Sequence, residues 1–565
     1  MKGKILIVLG LGLLNYANAQ KEIGNEEINI TKERQVELQK ANRIFDKIPP
    51  IVNEKKHVKM NYSFYDRKPT AVEEAKFTPN VVNPLAIKSN LDDIIGYKNY
   101  FKIGFGNFGR IFGETYINSD QNRKLVYGIS AFHNSTKRGP VDDENSASSL
   151  NKIKLDGKYH QKNYELKMDV GYERRNFYFY GYDTTQNFDY KPEDLRQTIN
   201  LFSFAATFEN TNPKPKVDYS LSTGIKNLTD NYNASELDWG TNFKSFFPIV
   251  KDKVTALLDA EAYITQRSDN YEVNPTRKRN LYRVEPSFRF DVKRFSAKIG
   301  FKAVNEYDQI EKINSTKGFP TVLISYKNPT LIYFFAGFDG DIIRNTLHSF
   351  LNENPFIVQQ ANLLNTYKNQ DFFIGSRGEL FSGISYNTKI SYGKYQNLYY
   401  YNKNDDLNDS PNGLNQIKTT KFQIDYEDFQ TDFANISTEI GYSNFENWKS
   451  NLKMDYFYYE SIKFTKPYHR PSFVGRWGNI FTVSEKLVAS LDFYYIAGLY
   501  AQDLEKGQPI KLKDITDLNA EFTYLFTKQF SAFVKLNNII GQKYQRYYNY
   551  SQLGLNFVAG INVSL

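Results

Sequence analysis

The sequence predicts an all-β chain: a transmembrane antiparallel β-barrel of about 22 strands, within roughly 16 to 24, preceded by a short N-terminal segment that is periplasmic or luminal. Three observations predict it. The chain opens with a secretory signal, apolar and polar residues alternate with period 2 over most of its length, and its last strand carries an unbroken apolar face.

The signal comes first. Met1–Ala19 has basic Lys2 and Lys4, an apolar run from Ile5 to Leu14, and Ala17-Asn18-Ala19 as a cleavage site before Gln20. The apolar run is shorter than the roughly 20 residues a membrane-spanning helix needs, so it is expected to be removed. With no cysteine in the chain, neither a lipoprotein anchor nor a disulfide is expected.

Residues 20–96 form the next segment. Lys32–Phe45 spaces Val36, Leu38, Ala41, Ile44 and Phe45 for one helical face, and Pro49-Pro50 ends it. Beyond it come extended pieces broken by Pro69, Pro79 and Pro84, too little material for an independent core of any size. The segment is expected either inside the barrel or in the periplasm.

Residues 97–565 read as the barrel. Ile153, Leu155, Gly157 and Tyr159 alternate with Lys152, Lys154, Asp156 and Lys158; Tyr164, Leu166, Met168 and Val170 alternate with Glu165, Lys167 and Asp169. The two runs form a hairpin turning at Gln161-Lys162-Asn163. Leu452, Met454, Tyr456 and Tyr458 repeat the pattern, and a longer run places Leu487, Ala489, Leu491, Phe493, Tyr495, Ala497 and Leu499 on one face. Such lengths suit the roughly 9–11 residues of a tilted strand crossing a bilayer. A soluble sandwich would instead need its apolar faces to meet in a shared core.

Composition agrees. Only alternate residues of a barrel strand meet lipid, so a hydrophobic fraction of 41% is compatible with a membrane protein. The 43 Tyr and 44 Phe suit rings seated at the boundary of hydrocarbon and water. The net charge of +9 comes from 72 basic and 63 acidic residues interspersed, a mixed surface with no track for nucleic acid. Long polar connections are expected at Asn134–Ser149, Asp183–Asp194, Gln266–Arg279, Lys403–Gln416 and Ala501–Lys511.

The final run places Leu553, Leu555, Phe557, Ala559, Ile561, Val563 and Leu565 on one face. An unfolded barrel protein presents such a strand to the barrel assembly machinery by strand addition through backbone hydrogen bonds, and a slip by one residue would turn Asn556 and Asn562 into lipid. Phe557, Ile561, Val563 and Leu565 are the expected assembly signal.

Catalysis, metals and cofactors find little footing. None of the five histidines has a metal-ligand spacing, and there is no cysteine to join them. Asp142-Asp143-Glu144-Asn145 and Asp405-Asp406-Asn408-Asp409 lack the spacing of a Ca²⁺-binding hand. His133 stands two residues before Ser135, a pair of the kind outer-membrane lipases use. Nucleophile and base need hydrogen-bond reach and an orienting third group, which spacing alone does not supply, so no catalytic residue and no enzyme is expected.

Leu536-Asn537-Asn538-Ile539-Ile540-Gly541-Gln542-Lys543-Tyr544, followed by Arg546-Tyr547 and by Leu555-Asn556-Phe557 with Gly560-Ile561, resembles the C-terminal end of TonB-dependent receptor barrels of the Bacteroidetes type. Tyr100-Phe101-Lys102-Ile103-Gly104-Phe105-Gly106-Asn107, His133-Asn134-Ser135, Tyr180-Gly181-Tyr182-Asp183, Asn354-Pro355-Phe356 and Gly375-Ser376-Arg377-Gly378 are similar to a plug-less subgroup of them. The resemblance implies a Gram-negative outer-membrane location. True receptors of that family also carry a plug domain, for which residues 20–96 are too few. Leu565 stands where assembly strands more often end in Phe or Trp.

Two functions follow as expectations. In the first, a polar lumen lined by Lys152, Lys154, Asp156, Lys158, Glu165, Lys167, Asp169, Lys453, Asp455 and Asp492 passes hydrophilic solutes, passively or with a partner, at weak ion selectivity. In the second, the barrel is a non-transporting accessory or structural subunit of an outer-membrane complex. An unplugged pore of about 22 strands would compromise the membrane, which favours a lumen blocked by the chain itself or by a partner. The partners expected are outer-membrane lipid and lipopolysaccharide, the assembly machinery, and a periplasmic or outer-membrane protein.

Overall fold

Alternation along each strand, repeated around a ring, closes the sheet on itself. The computed structural model describes residues 99–565 apart from 120–123, 183–190, 213–214, 269–275, 329–331, 359–360, 382, 404–420, 445–446 and 504–506. The expected signal Met1–Ala19, the expected helix Lys32–Phe45 and the acidic run at 405–409 lie outside the described residues.

Twenty-two strands form one antiparallel sheet. Each pairs with its neighbours in sequence, and the ring closes where Asn99–Gly106 pairs with Arg110–Asn118 on one side and with Asn556–Ser564 on the other. The seam is held at its end by Asn99 and Leu565, whose backbone groups exchange hydrogen bonds of 3.0 and 2.8 Å. At its other end Asn107 accepts the Phe557 N–H at 2.9 Å and donates to the Leu555 carbonyl at 3.3 Å. Among the described residues the 22-strand ring has no unpaired edge strand, which is the condition for a sheet to sit in hydrocarbon.

One face of the ring is apolar. Ile103, Phe105, Ile129, Ile153, Leu155, Trp239, Phe288, Ile299, Ile374, Tyr456, Trp477 and Ile561 are all exposed on it, a belt of large side chains that water would penalise and lipid accommodates. Rings gather at one rim of the belt, as in Tyr164 beside Phe208 at 5.3 Å and Trp448 beside Tyr442 at 4.7 Å, the position of an interfacial girdle.

The two rims differ. On the rim that holds the Asn99–Leu565 contact, strands are joined by short turns such as 161–163, 251–253 and 293–294. On the opposite rim the connections include 179–195, 344–365, 397–430, 460–472, 498–514 and 538–555. Long connections face outward in barrels of this kind.

The expected hairpin turn at 161–163 is observed between Ser148–His160 and Tyr164–Tyr178. Other boundaries move. The last strand is Asn556–Ser564, so Leu553 and Leu555 belong to the loop before it, where the Leu553 carbonyl accepts from Asn538 at 2.9 Å. Leu499 likewise lies beyond the strand Leu487–Ala497 and is buried in a loop cluster. The connection expected at Gln266–Arg279 shortens, because the flanking strands Val254–Ser268 and Thr276–Val292 run further than the sequence suggested.

Candidate solute path: the inner face and the mouth

Residues alternating with the belt stand on the opposite face, and there the sequence-named charges form a ladder across two neighbouring strands. Lys152 pairs with Glu173 at 2.9 Å, and Lys154 with Asp169 at 2.6 Å. Lys167 pairs with Glu165 at 2.9 Å and also with Glu209. Asp156 stands opposite Asp169, and Lys158 opposite Lys167. Lys453 and Asp455 sit elsewhere on the ring, 3.5 Å apart on Trp448–Tyr459, and Asp492 faces Asn519 across Leu487–Ala497 and Ile515–Leu525.

A denser network, which the sequence reading missed, occupies the strands from Ser235–Val250 to Thr366–Phe381, nearer the long loops. Arg283 donates to Asp341 at 2.9 Å and pairs with Glu261. Lys302 donates to Asp339 at 2.8 Å and to Asp341 at 3.4 Å. Lys368 joins Asp339 at 3.1 Å and Asp371 at 3.5 Å. Arg279 binds Asp308 at 2.7 Å and reaches up to the Asn345 carbonyl at 2.8 Å, tying wall to loop. Charges this buried persist only when paired, so the network is a fixed structure rather than a set of free ions. Its signal in sequence was the alternation of Arg277, Arg279 and Arg283, and of Asp339 and Asp341.

The mouth is crossed by loops. One apolar cluster joins Phe179 and Leu195 from 179–195, Phe350 and Phe356 from 344–365, Tyr399 and Phe422 from 397–430, and Tyr550 from 538–555. The first and third of these loops leave the ring on nearly opposite sides, so their packing spans the opening. Lys403 reaches across to the Gly181 carbonyl at 2.7 Å, and Phe356 stacks on Tyr550 with centroids 3.6 Å apart.

Within that cluster lies a buried polar knot. Glu353, at the end of the helix Leu347–Glu353, accepts from Tyr399 at 2.5 Å and lies 3.7 Å from Arg470. Burial raises the Glu353 carboxyl above the usual carboxylate range, with Arg470 opposing, and burial also drives the Tyr399 hydroxyl well above its ordinary value. Arg546 donates to the His469 carbonyl at 2.8 Å. His469 Nε2 accepts the Tyr548 N–H at 3.2 Å, so Nδ1 carries the proton and donates to the Tyr401 carbonyl at 2.6 Å. Burial lowers the pKa of His469 to about 3, leaving it neutral.

Phe557, Ile561 and Leu565 stand exposed on the belt side of the closing strand, with Val563 on the same face. Asp142, in the first acidic run, accepts from Tyr182 at 2.5 Å. Among the described residues no cluster of three or more His, Cys, Asp or Glu is placed to hold a metal ion.

No family model matches the chain, and no curated protein matches it. Solved structures do. FpvA of P. aeruginosa, in a structure with heterologous pyoverdines, shares 10% identity over 83% of this chain and 72% of that chain, with a TM-score of 0.62. The FrpB iron transporter from Neisseria meningitidis shares 9% over 84% and 82%, also at 0.62. The siderophore receptor PiuA from Acinetobacter baumannii shares 9% over 83% and 82%, at 0.60. At such identity the likeness is one of fold, that of a TonB-dependent receptor barrel. These neighbours are transporters and receptors rather than enzymes. The closed ring, its belt and this fold locate the chain in the Gram-negative outer membrane.

Proposed function

We propose that this chain moves a hydrophilic solute across the outer membrane through a lumen that its own loops keep closed until a partner or ligand displaces them. The observation that carries the reading is the apolar cluster crossing the mouth above a paired, water-compatible wall. A freely open pore has no use for a core in its entrance. Lys152, Lys154, Asp156, Lys158, Glu165, Lys167, Asp169, Lys453, Asp455 and Asp492 line the path below, and their mixed signs give weak ion selectivity.

In this proposal the chain is a receptor-like barrel of the Bacteroidetes type and the plug-less subgroup, secreted by Met1–Ala19. Residues 20–96 act as a short internal obstruction or a periplasmic contact. Phe557, Ile561, Val563 and Leu565 direct assembly. The second reading, a non-transporting subunit of an outer-membrane complex, is favoured by the same crossed mouth if the loops never part.

Single-channel conductance of the purified mature chain, with and without residues 20–96, tests the proposal. Silence from the full chain, with steps appearing on truncation or on loosening of the loop cluster by Glu353→Ala, supports a gated path. Large steady steps from the untouched chain would refute gating. Silence from every folded variant would leave the structural role.

A further inference from the structure

The outer wall carries a constellation that a solute path does not use. On Leu125–Thr136, His133 and Ser135 continue the face of exposed Tyr127 and Ile129; on Ser148–His160, Ser149 and Asn151 continue the face of exposed Ile153 and Leu155. The register sets His133 opposite Asn151 and Ser135 opposite Ser149. His133 Nε2 lies 3.0 Å from Ser135 Oγ, and Nδ1 lies 2.7 Å from Asn151 Oδ1. The amide oxygen only accepts, so Nδ1 holds the proton and Nε2 is left to accept from the serine hydroxyl. Hydrogen-bond reach and an orienting third group, the two conditions that spacing alone could not meet, are both present.

We propose that Ser135, His133 and Asn151 form an ester-hydrolysing site on the outer wall, acting on the acyl esters of phospholipid in the outer leaflet. The site lies at the long-loop end of its strands, one alternate position above Ile153, where the belt gives way to polar residues. That is the height at which a lipid's ester carbonyls sit, with the acyl chains beside Ile129 and Ile153. Arg174, exposed and directly opposite Asn151 on the next strand, is the cation for the lipid phosphate.

The chemistry is acyl transfer to water. Ser135 Oγ attacks the ester carbonyl carbon while His133 Nε2 takes the hydroxyl proton. The bond from carbon to the glycerol oxygen then breaks, and that oxygen leaves with the proton from His133. Water attacks the acyl-serine, its proton passing to His133, and release of the fatty acid returns the proton to Ser135. Ser149 is the donor beside the nucleophile: Asn176 donates to its oxygen at 2.9 Å, which leaves the Ser149 proton free to meet the developing oxyanion. Asn151 is a positioning residue acting through His133.

The test uses the full mature protein in phosphatidylcholine mixed micelles, with fatty-acid release and fluorophosphonate labelling as readouts, and heat-modifiable migration as the check that each variant is folded. Release that Ser135→Ala abolishes, and that His133→Ala lowers by about a hundredfold or more, is expected, with the label mapping to Ser135. Asn151→Ala should lower release, and Asn151→Asp, whose carboxylate oxygen can still accept from His133 Nδ1, should restore it. A folded wild-type barrel that releases no fatty acid, or release indifferent to Ser135→Ala, would overturn the site.

Discussion

The Glu353 carboxylate lies 3.7 Å from the Arg470 guanidinium, each side chain 2% exposed, although one residue ends a helix in 344–365 and the other sits in 460–472. Two charges from separate loops are buried together, each offsetting the other's burial, while Arg470 also donates to the Tyr399 carbonyl at 2.9 Å. Glu353→Ala should therefore leave Arg470 charged in an apolar setting and destabilise the loop cluster by about 3–5 kcal/mol. Limited proteolysis should cut 344–365 or 460–472 at protease levels that spare the wild type, while the barrel keeps its heat-modifiable mobility. A variant with unchanged loop protection would show the pair to be incidental.

His469 makes the same cluster sensitive to acid. Its folded pKa, about 3, lies below the unfolded value, so its contribution to stability is fully present above about 6.5 and is lost as pH falls from there toward about 3. The slope in that window should approach about 1.4 kcal/mol per pH unit. Loop protection measured by hydrogen exchange should fall with pH across it. His469→Asn should flatten the dependence, since asparagine is neutral and tolerates the backbone φ of 57° found there.

The closing seam depends on Gly560. A Cβ at that position would lie 1.9 Å from the Ile103 carbonyl oxygen, with Gly104 directly opposite, and the contact is backbone that cannot swing aside. Gly560→Ala should force the two strands apart at a cost of about 1–3 kcal/mol. Its measure is the fraction of protein migrating as folded barrel after extraction from membranes, which should drop sharply relative to a control change at the loop glycine Gly554, where a Cβ would meet only the Gly541 carbonyl oxygen, at 3.9 Å.

Ile561 faces the belt and Asn562 the inner side of the same strand. Replacing Ile561 with arginine places a charge in lipid, at about 2–4 kcal/mol if it lies near the bilayer midplane. Outer-membrane yield should fall for Ile561→Arg and hold for Asn562→Ser. Equal yields would remove the lipid-facing role of this side chain.

The ring and its polarity were legible because period-2 alternation is a local property, written into runs such as Lys152–Tyr159 that need no distant partner. The loop cluster was not. Phe179, Phe356, Tyr399 and Tyr550 stand far apart in sequence, and no periodicity announces that they meet. The same holds for the wall network: Asp341 could be seen to alternate with Asp339, but its partners Arg283 and Lys302 come from other strands. Spacing showed that His133 and Ser135 share a face, whereas Asn151 enters only through the register of a neighbouring strand.

The contact between Asn99 and Leu565 also bears on the order of folding. Local hairpins can zip early, each closing a short loop at small entropic cost, whereas the seam joins residues separated by the whole barrel, carries the largest closure cost, and is expected to form after the hairpins. Until then the chain is a ribbon with two sticky edges, prone to pair with a neighbouring copy. Its passage from ribbon to cylinder is a single late event, and the kinetic burden of biogenesis falls on shielding those edges until it occurs.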